Sequence, residues 1–262
     1  MRKIVAILFM LSFIAASAGL GAQATTQQAK PKPFEPSVGQ AGKDVVWVPT
    51  PEALVQKMLD LANVTAKDFL IDLGSGDGRT VIAAAKRGAR AQGIEYNPDM
   101  VALSQRNAEA AGVTRLATFT QADLFETDFS KADVVTMFLL PSINMRLRNQ
   151  ILAMKPGTRI VTNTFTMEDW ESDKSETIDN CSSWCTAHLW IVPAKVEGTW
   201  QMAGGPLTLT QKFQMVTGTM GSAAISDGRL RGTELTFTVG GKKFTGTVSG
   251  NTITGAGWTA KK

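Results

Sequence analysis

The sequence predicts an α/β protein built on a doubly wound sheet, followed by a small antiparallel β-module. Residues 69–86, FLIDLGSGDGRTVIAAAK, read as a buried strand, a glycine turn and a helix start in unbroken succession. Strand-like and helix-like stretches then alternate to about residue 194, the pattern of a sheet covered on both faces. From Val196 the texture changes to threonine, glycine and apolar residues at period two.

Ahead of these elements, Arg2 and Lys3 precede an uncharged apolar run that ends in Ala22-Gln23-Ala24. This pattern predicts a signal peptide over 1–24, with an uncleaved anchor as the competing reading because the run is about long enough to cross a bilayer. In either case the body is expected to be exported, periplasmic or extracellular, and a cleaved signal would leave no integral membrane span. Residues 25–44 are rich in Gln, Lys, Pro and Gly and are expected to be a flexible linker. An α/β domain is expected over 45–195. It opens with Val48-Pro49-Thr50-Pro51 and a helix whose Leu54, Met58, Leu61 and Ala62 share one face, with Thr50 as its N-cap.

The glycine turn carries the chemistry. Gly74, Gly76 and Gly78 follow the pattern G-x-G-x-G, which departs from the dinucleotide fingerprint because Arg79 stands where a third glycine would fall. Asp72, two residues ahead of Gly74, would repel a pyrophosphate but pair with the ammonium group of an amino acid. A second strand from Ala89 ends in Glu95, and Asn97-Pro98 starts the next helix, which Gly112 stops. A third strand, 116–120, delivers Asp123 and Leu124 to the same sheet edge. A fourth strand is expected over 133–140, and a fifth over 159–165 after the turn Lys155-Pro156-Gly157.

With Asp72, Gly74, Ser75, Gly76 and Gly78 in this order, the chain resembles the class I, seven-strand, Rossmann-like methyltransferases that use S-adenosylmethionine. The resemblance implies that Asp72 meets the amino acid portion of the cofactor and that Glu95 accepts the ribose hydroxyls. Asp123 would accept from the adenine amino group while the main chain at Leu124 donates to the ring. The succession VPTP, DLGSGDGR, GIEYNP, FLLPS, KPGTRIV, Trp170 and LWIVPA is similar to the mitochondrial lysine methyltransferases that modify an ATP synthase or carrier subunit. This narrower resemblance implies a protein lysine ε-amine as acceptor. Leu140-Pro141-Ser142 stands where enzymes that methylate planar nitrogens carry Asn or Asp, two prolines and an aromatic residue, which argues against base or glutamine methylation. The acceptor is expected near Pro141, Tyr96 and Thr50, with no general base named and no metal. Two alternatives remain at this point: a small-molecule N- or O-methyltransferase, and a non-catalytic exported protein that binds S-adenosylmethionine or a nucleoside.

Composition narrows the partners. The formal net charge of +4 is unevenly spread: residues 45–195 hold 15 basic and 18 acidic side chains, net −3, whereas 196–262 hold 7 and 3, net +4. A mildly acidic cofactor domain without a basic aromatic stripe argues against nucleic acid. Cys181 and Cys185 lie four apart with His188, the only histidine, nearby. In an exported chain this spacing favours a local disulfide over a metal site, and His188 is expected to be a packed strand residue. The module over 196–262 is expected to be a meander or partial barrel, with turns at Asp227-Gly228, Gly240-Gly241 and Gly250-Asn251.

Overall fold

The computed structural model describes residues 32–262; the expected signal peptide or anchor lies outside the described residues. Five parallel strands form the body of a seven-stranded sheet: β1 (Phe69–Leu73), β2 (Arg90–Glu95), β3 (Ala117–Gln121), β4 (Val134–Met137) and β5 (Arg159–Asn163). The edge strand β6 (Lys174–Thr177), which runs with them, and β7 (Thr186–Ile191), which alone runs against them, complete it in the order β3-β2-β1-β4-β5-β7-β6. The helices are α1 (Glu52–Leu61), α2 (Arg79–Lys86), α3 (Pro98–Ala110) and α4 (Pro141–Leu152). Among the described residues no helix is long and apolar enough to cross a membrane.

Alternation along the strands explains why both faces are covered. Leu70, Val134 and Val161 pack with Leu54, Met58 and Val81 of α1 and α2. Their neighbours Ile71, Val135 and Ile160 face the other way, against Ile143, Leu147 and Trp190. The chain runs from β1 outward to β2 and β3, then returns to β4 on the other side of β1. That reversal opens a crevice at the carboxyl ends of β1 and β4, where ligands of open α/β sheets bind. The fourth strand is shorter than the sequence suggests: Phe138, Leu139 and Leu140 leave the ladder at this crevice, and Pro141 then occupies the first turn of α4.

The C-terminal module is a closed barrel rather than a partial one. Its strands are β8 (Gly198–Met202), β9 (Gly205–Lys212), β10 (Met215–Met220), β11 (Ala223–Arg231), β12 (Glu234–Val239), β13 (Lys242–Ser249), β14 (Thr252–Gly255) and β15 (Trp258–Lys261), joined by two-residue turns. β15 pairs with β8 and closes the ring. Trp200, Leu207, Leu230, Leu235, Phe237 and Ile253 fill the interior, as the bore of an eight-stranded barrel requires. Asp227-Gly228, expected as a turn, lies within β11 at a register shift against β10, a bulge that bends the strand.

Barrel and sheet belong to one compact unit, Phe34–Lys262. The β9–β10 turn docks on the sheet: Phe213 stacks on Trp170 with ring centroids 5.6 Å apart, and Gln214 lies buried beside it.

The expected flexible linker is corrected where it is described. Residues 37–47 fold back on themselves: the Gln40 N–H donates to the Ser37 carbonyl, Gly42 to Val45, Trp47 to Gln40 and Gly39 to Trp47, at 2.8–2.9 Å. Composition alone suggested a tether because this strap has little core of its own; it is held by what it covers.

Candidate active site

Residues Gln40–Thr50 of the strap roof a cavity of about 450 Å³ over the carboxyl ends of β1, β2 and β4. That is within the size range of small-molecule sites. Of the residues expected to bind cofactor, Asp72, Gly74, Ser75, Gly76, Glu95, Asp123 and Leu124 line it; of the expected acceptor residues, Thr50 and Tyr96 do. Gly78 and Pro141 do not. Gly78 caps α2 at φ +82°, and a Cβ there would lie 2.7 Å from Phe119 and Ser104, so the packing around it by itself requires a glycine. Pro141 is the first residue of α4.

The loop after β1 is tied down at each step. The N–H groups of Gly74 and Ser75 both donate to the Ile94 carbonyl. Gly76 sits at φ +54°, and a Cβ on it would come within 2.8 Å of Trp47 Nε1. Glu95 spans the cavity floor, with Oε2 accepting from Gly76 N at 3.0 Å and Oε1 from Asn97 N at 2.9 Å. Arg79 braces loop to strap: its Nε donates to Asp77 Oδ1 at 3.0 Å and its Nη1 to the Thr50 carbonyl at 2.8 Å. Thr50 is therefore not a helix cap; its hydroxyl accepts from Asn163 Nδ2 at 3.2 Å, and α1 has no side-chain cap.

Asp72 is buried with one strong partner, Thr136 Oγ1, which donates to Oδ1 at 2.6 Å. Burial pushes its carboxyl up to about 7, aided by the nearby charges of Asp77 and Glu95 and opposed by the hydroxyl bonds of Thr136 and Thr80. Among the described residues no basic side chain bonds this carboxyl, so the position can take a cationic ligand group. Ser75 Oγ, also buried, has no hydrogen-bond partner among the described residues and lies in the same wall. The opposite end differs. Asp123 Oδ2 accepts from Lys43 Nζ at 2.7 Å and its Oδ1 from Phe125 N at 2.9 Å, and the Lys43 bond holds its carboxyl below the ordinary range. Lys43 also lies over the ring of Tyr96, 5.2 Å from its centre.

Three aromatic residues that sequence reasoning missed stand at the β4–β5 side of the same cavity: Phe138, Phe165 and Trp184. Trp184 lies between Cys181 and Cys185, which are disulfide-bonded. His188 supports this side from behind. Its Nε2 donates to the Thr164 carbonyl at 3.1 Å, so its Nδ1 is the acceptor of the Ser175 hydroxyl at 2.7 Å. Burial lowers its pKa, against that carbonyl bond. It is a bonded structural residue, not a ligand.

Residues 72–174 match the model of the ANTKMT methyltransferase domain. A protein-lysine N-methyltransferase of Saccharolobus islandicus is 38% identical over 151 residues, covering 56% of this chain and 94% of that one. The chain belongs to this family of S-adenosylmethionine-dependent methyltransferases. The adenine nucleotide translocase lysine N-methyltransferase of Mus musculus is 36% identical over 104 residues, 39% of this chain and 45% of the mouse enzyme. A crystal structure described as an RNA methyltransferase from Salinibacter ruber, in complex with S-adenosyl-L-homocysteine, is 45% identical, with TM-score 0.54, covering 57% of this chain and 96% of that one. The family model's match, residues 72–174, falls on the sheet domain. The methyltransferase therefore uses S-adenosylmethionine, and its residues fit that cofactor: a buried carboxyl at Asp72 that can take an ammonium, a loop with no Cβ at Gly76, and an acidic strand end at Glu95.

Proposed function

We propose that this methyltransferase transfers a methyl group to a lysine ε-amine of a protein, and that it does so outside the cytosol. The observation that carries the acceptor is the charge of the cavity. Its lining holds two basic side chains, Lys43 and Arg79, against five acidic ones, Asp44, Asp72, Asp77, Glu95 and Asp123. Both basic groups are already bound to carboxylates. With Asp72, Glu95 and Asp123 given to the cofactor, the cavity still presents no unpaired basic side chain among the described residues, which disfavours a phosphate backbone as acceptor. The lysine-modifying relatives support the same reading, as does the apolar rim of Val46, Tyr96, Leu140 and Trp184, all exposed at the mouth. For the compartment, support comes from the disulfide between Cys181 and Cys185, a bond that persists in oxidising surroundings.

The cofactor supplies the methyl group, activated as a sulfonium. In this reading Asp72 holds the ammonium of its amino acid portion, Glu95 accepts from the ribose, and Asp123 with the main chain of Leu124 takes the adenine. The strap excludes water above them through Trp47. What remains for the chain is to align the acceptor and to favour its neutral amine, which burial in an apolar mouth does by lowering an ammonium pKa. No strong base is needed.

The test is labelled-methyl transfer from S-adenosylmethionine to envelope proteins and to RNA, with the wild-type chain and Asp72→Ala. Label on protein lysines that disappears in the variant is the expected result. Label on RNA alone, or only on small organic-soluble products, overturns the lysine reading.

A further inference from the structure

We propose that Phe138, Phe165 and Trp184 form an aromatic clamp for the alkylammonium end of the acceptor, and that the Cys181–Cys185 disulfide is what holds Trp184 in it. The proposal rests on the lysine reading above and adds the groups that recognise the acceptor.

Position comes first. The cofactor-binding expectations all fall on the β1, β2 and β3 side of the crevice, so the remaining part of the same cavity, beside β4 and β5, is where an acceptor can meet the methyl group. Phe138 leaves β4, Phe165 leaves β5, and Trp184 arrives from the β6–β7 connection, three separate segments converging on one point. Their ring centroids form a closed triangle: 5.9 Å between Phe138 and Phe165, 5.6 Å between Phe138 and Trp184, and 5.3 Å between Phe165 and Trp184. At these distances the rings pack on one another, so a cation would rest on the cavity side of the cluster, within the roughly 6 Å over which a ring face attracts it.

Trp184 is not there to build the core. It is 37% exposed, and its backbone is left-handed, at φ +60°. A bulky residue adopts that conformation only where the surroundings impose it, and such residues gather at ligand sites. Here the surroundings are a short loop closed twice. The disulfide joins Cys181 to Cys185, and the Ile178 N–H donates to the Cys185 carbonyl at 3.0 Å. Phe165 is fixed comparably: Asn144 Nδ2 reaches its carbonyl at 3.5 Å, the Thr162 hydroxyl donates to that carbonyl at 2.6 Å, and His188 anchors Thr164.

The chemistry suits methyl transfer to an amine. As the nitrogen lone pair forms the new N–C bond, the S–C bond breaks and its electron pair stays on sulfur, leaving a neutral thioether. Positive charge thus passes from sulfur to nitrogen, and the ring faces stabilise it where it arrives. The methylated ammonium product then returns its proton to water. Cys181 and Cys185 are positioning residues in this scheme; the three rings touch the acceptor.

The test uses the full oxidised chain with S-adenosylhomocysteine present and tetramethylammonium as probe, with tert-butanol as an uncharged shape match, followed by tryptophan fluorescence and calorimetry. Trp184→Ala and the double variant Cys181→Ser/Cys185→Ser are expected to weaken tetramethylammonium about tenfold, the scale of a desolvated cation–π contact. Trp184→Phe should restore most of the binding, and S-adenosylhomocysteine affinity should stay within about twofold in all three, which also reports that they are folded. In methyl transfer the acceptor KM should rise while cofactor affinity holds. Equal binding of tert-butanol and the cation, or wild-type cation binding in Trp184→Ala, overturns the clamp even if lysines are methylated. Cation binding lost in Trp184→Ala with no protein methylated leaves the clamp standing and removes the lysine reading instead.

Discussion

Thr136 Oγ1 donates to Asp72 Oδ1 at 2.6 Å, and it is a hydroxyl, not a cation, that holds this buried carboxyl. Because burial keeps the folded-state pKa near 7, above its unfolded value, the folded protein binds an extra proton between about pH 4 and pH 7. The contribution of Asp72 to the stability of the cofactor-free chain is therefore most favourable below that window and is lost as pH rises through it. Asp72→Asn, which can keep the Thr136 bond, should raise the melting temperature at pH 8 and change it little near pH 4. Binding has the opposite dependence: if the cofactor ammonium pairs with the ionised form, its Kd should rise about tenfold for each pH unit below 7. Calorimetric titration at pH 6 and pH 8 checks this, and equal affinities would remove the ion pair.

Trp47 lies over Gly76 in the cavity roof, where a Cβ on Gly76 would come within 2.8 Å of its Nε1, and this makes strap order part of cofactor affinity. Fully burying a large apolar side chain is worth roughly 1.5–3 kcal/mol, and Trp47 is half-buried, so Trp47→Ala should weaken S-adenosylmethionine by about tenfold while the sheet stays folded. Gly76→Val should go further, because its side chain would enter the space of Trp47 at a φ of +54°. Circular dichroism beside the titration separates the two effects. A Trp47→Ala protein that binds cofactor as tightly as wild type would mean the strap closes over nothing.

Glu95 and Asp123 are both acidic strand ends, yet they are engaged differently. Glu95 uses each oxygen once, on main-chain N–H groups, and keeps lone pairs for a diol. Asp123 has one oxygen taken by Lys43. Glu95→Gln should therefore cost about 2 to 4 kcal/mol of cofactor binding, the scale of two hydrogen bonds to a charged group. Asp123→Asn should cost less. The reverse order in titration would exchange the ribose and adenine ends.

Some of this was legible in the sequence because it is local. The strand, glycine turn and helix of residues 69–86 carry their own signal, and Glu95 and Asp123 fall at strand ends that a βα repeat places on one edge. The aromatic triangle was not legible, since Phe138, Phe165 and Trp184 come from three loops that only the sheet order brings together. The strap up to residue 44 looked like a tether because its contacts, such as Lys43 on Asp123, are made with distant parts of the chain. Gly78 shows another limit: the motif suggested a ligand contact, and only the fold reveals that Phe119 and Ser104 also leave no room for a Cβ there. Barrel closure depends on β15 meeting β8, a pairing between the two ends of the module that no local pattern encodes.

Trp170 joins the two parts of the chain, and its environment makes the barrel a fixed neighbour of the sheet rather than a swinging lid. Its indole N–H donates to Gln214 Oε1 at 2.8 Å, Gln214 Nε2 donates to the Glu171 carbonyl at 2.8 Å, and both side chains are buried. Arg229 adds an ion pair to Asp173 at 2.7 Å. Gln214→Leu fills similar volume but leaves the Trp170 N–H and the Glu171 carbonyl without these partners. Leaving a buried polar group unpaired costs roughly 1 to 3 kcal/mol, so the variant should unfold at a clearly lower temperature. None of these residues lines the cofactor cavity, so S-adenosylmethionine affinity below the transition should stay at the wild-type value. Thermal unfolding and titration on the same sample read both quantities. Lost affinity in a folded Gln214→Leu protein would mean that the barrel, through Trp170 and the turn after β5, acts on the site rather than only beside it.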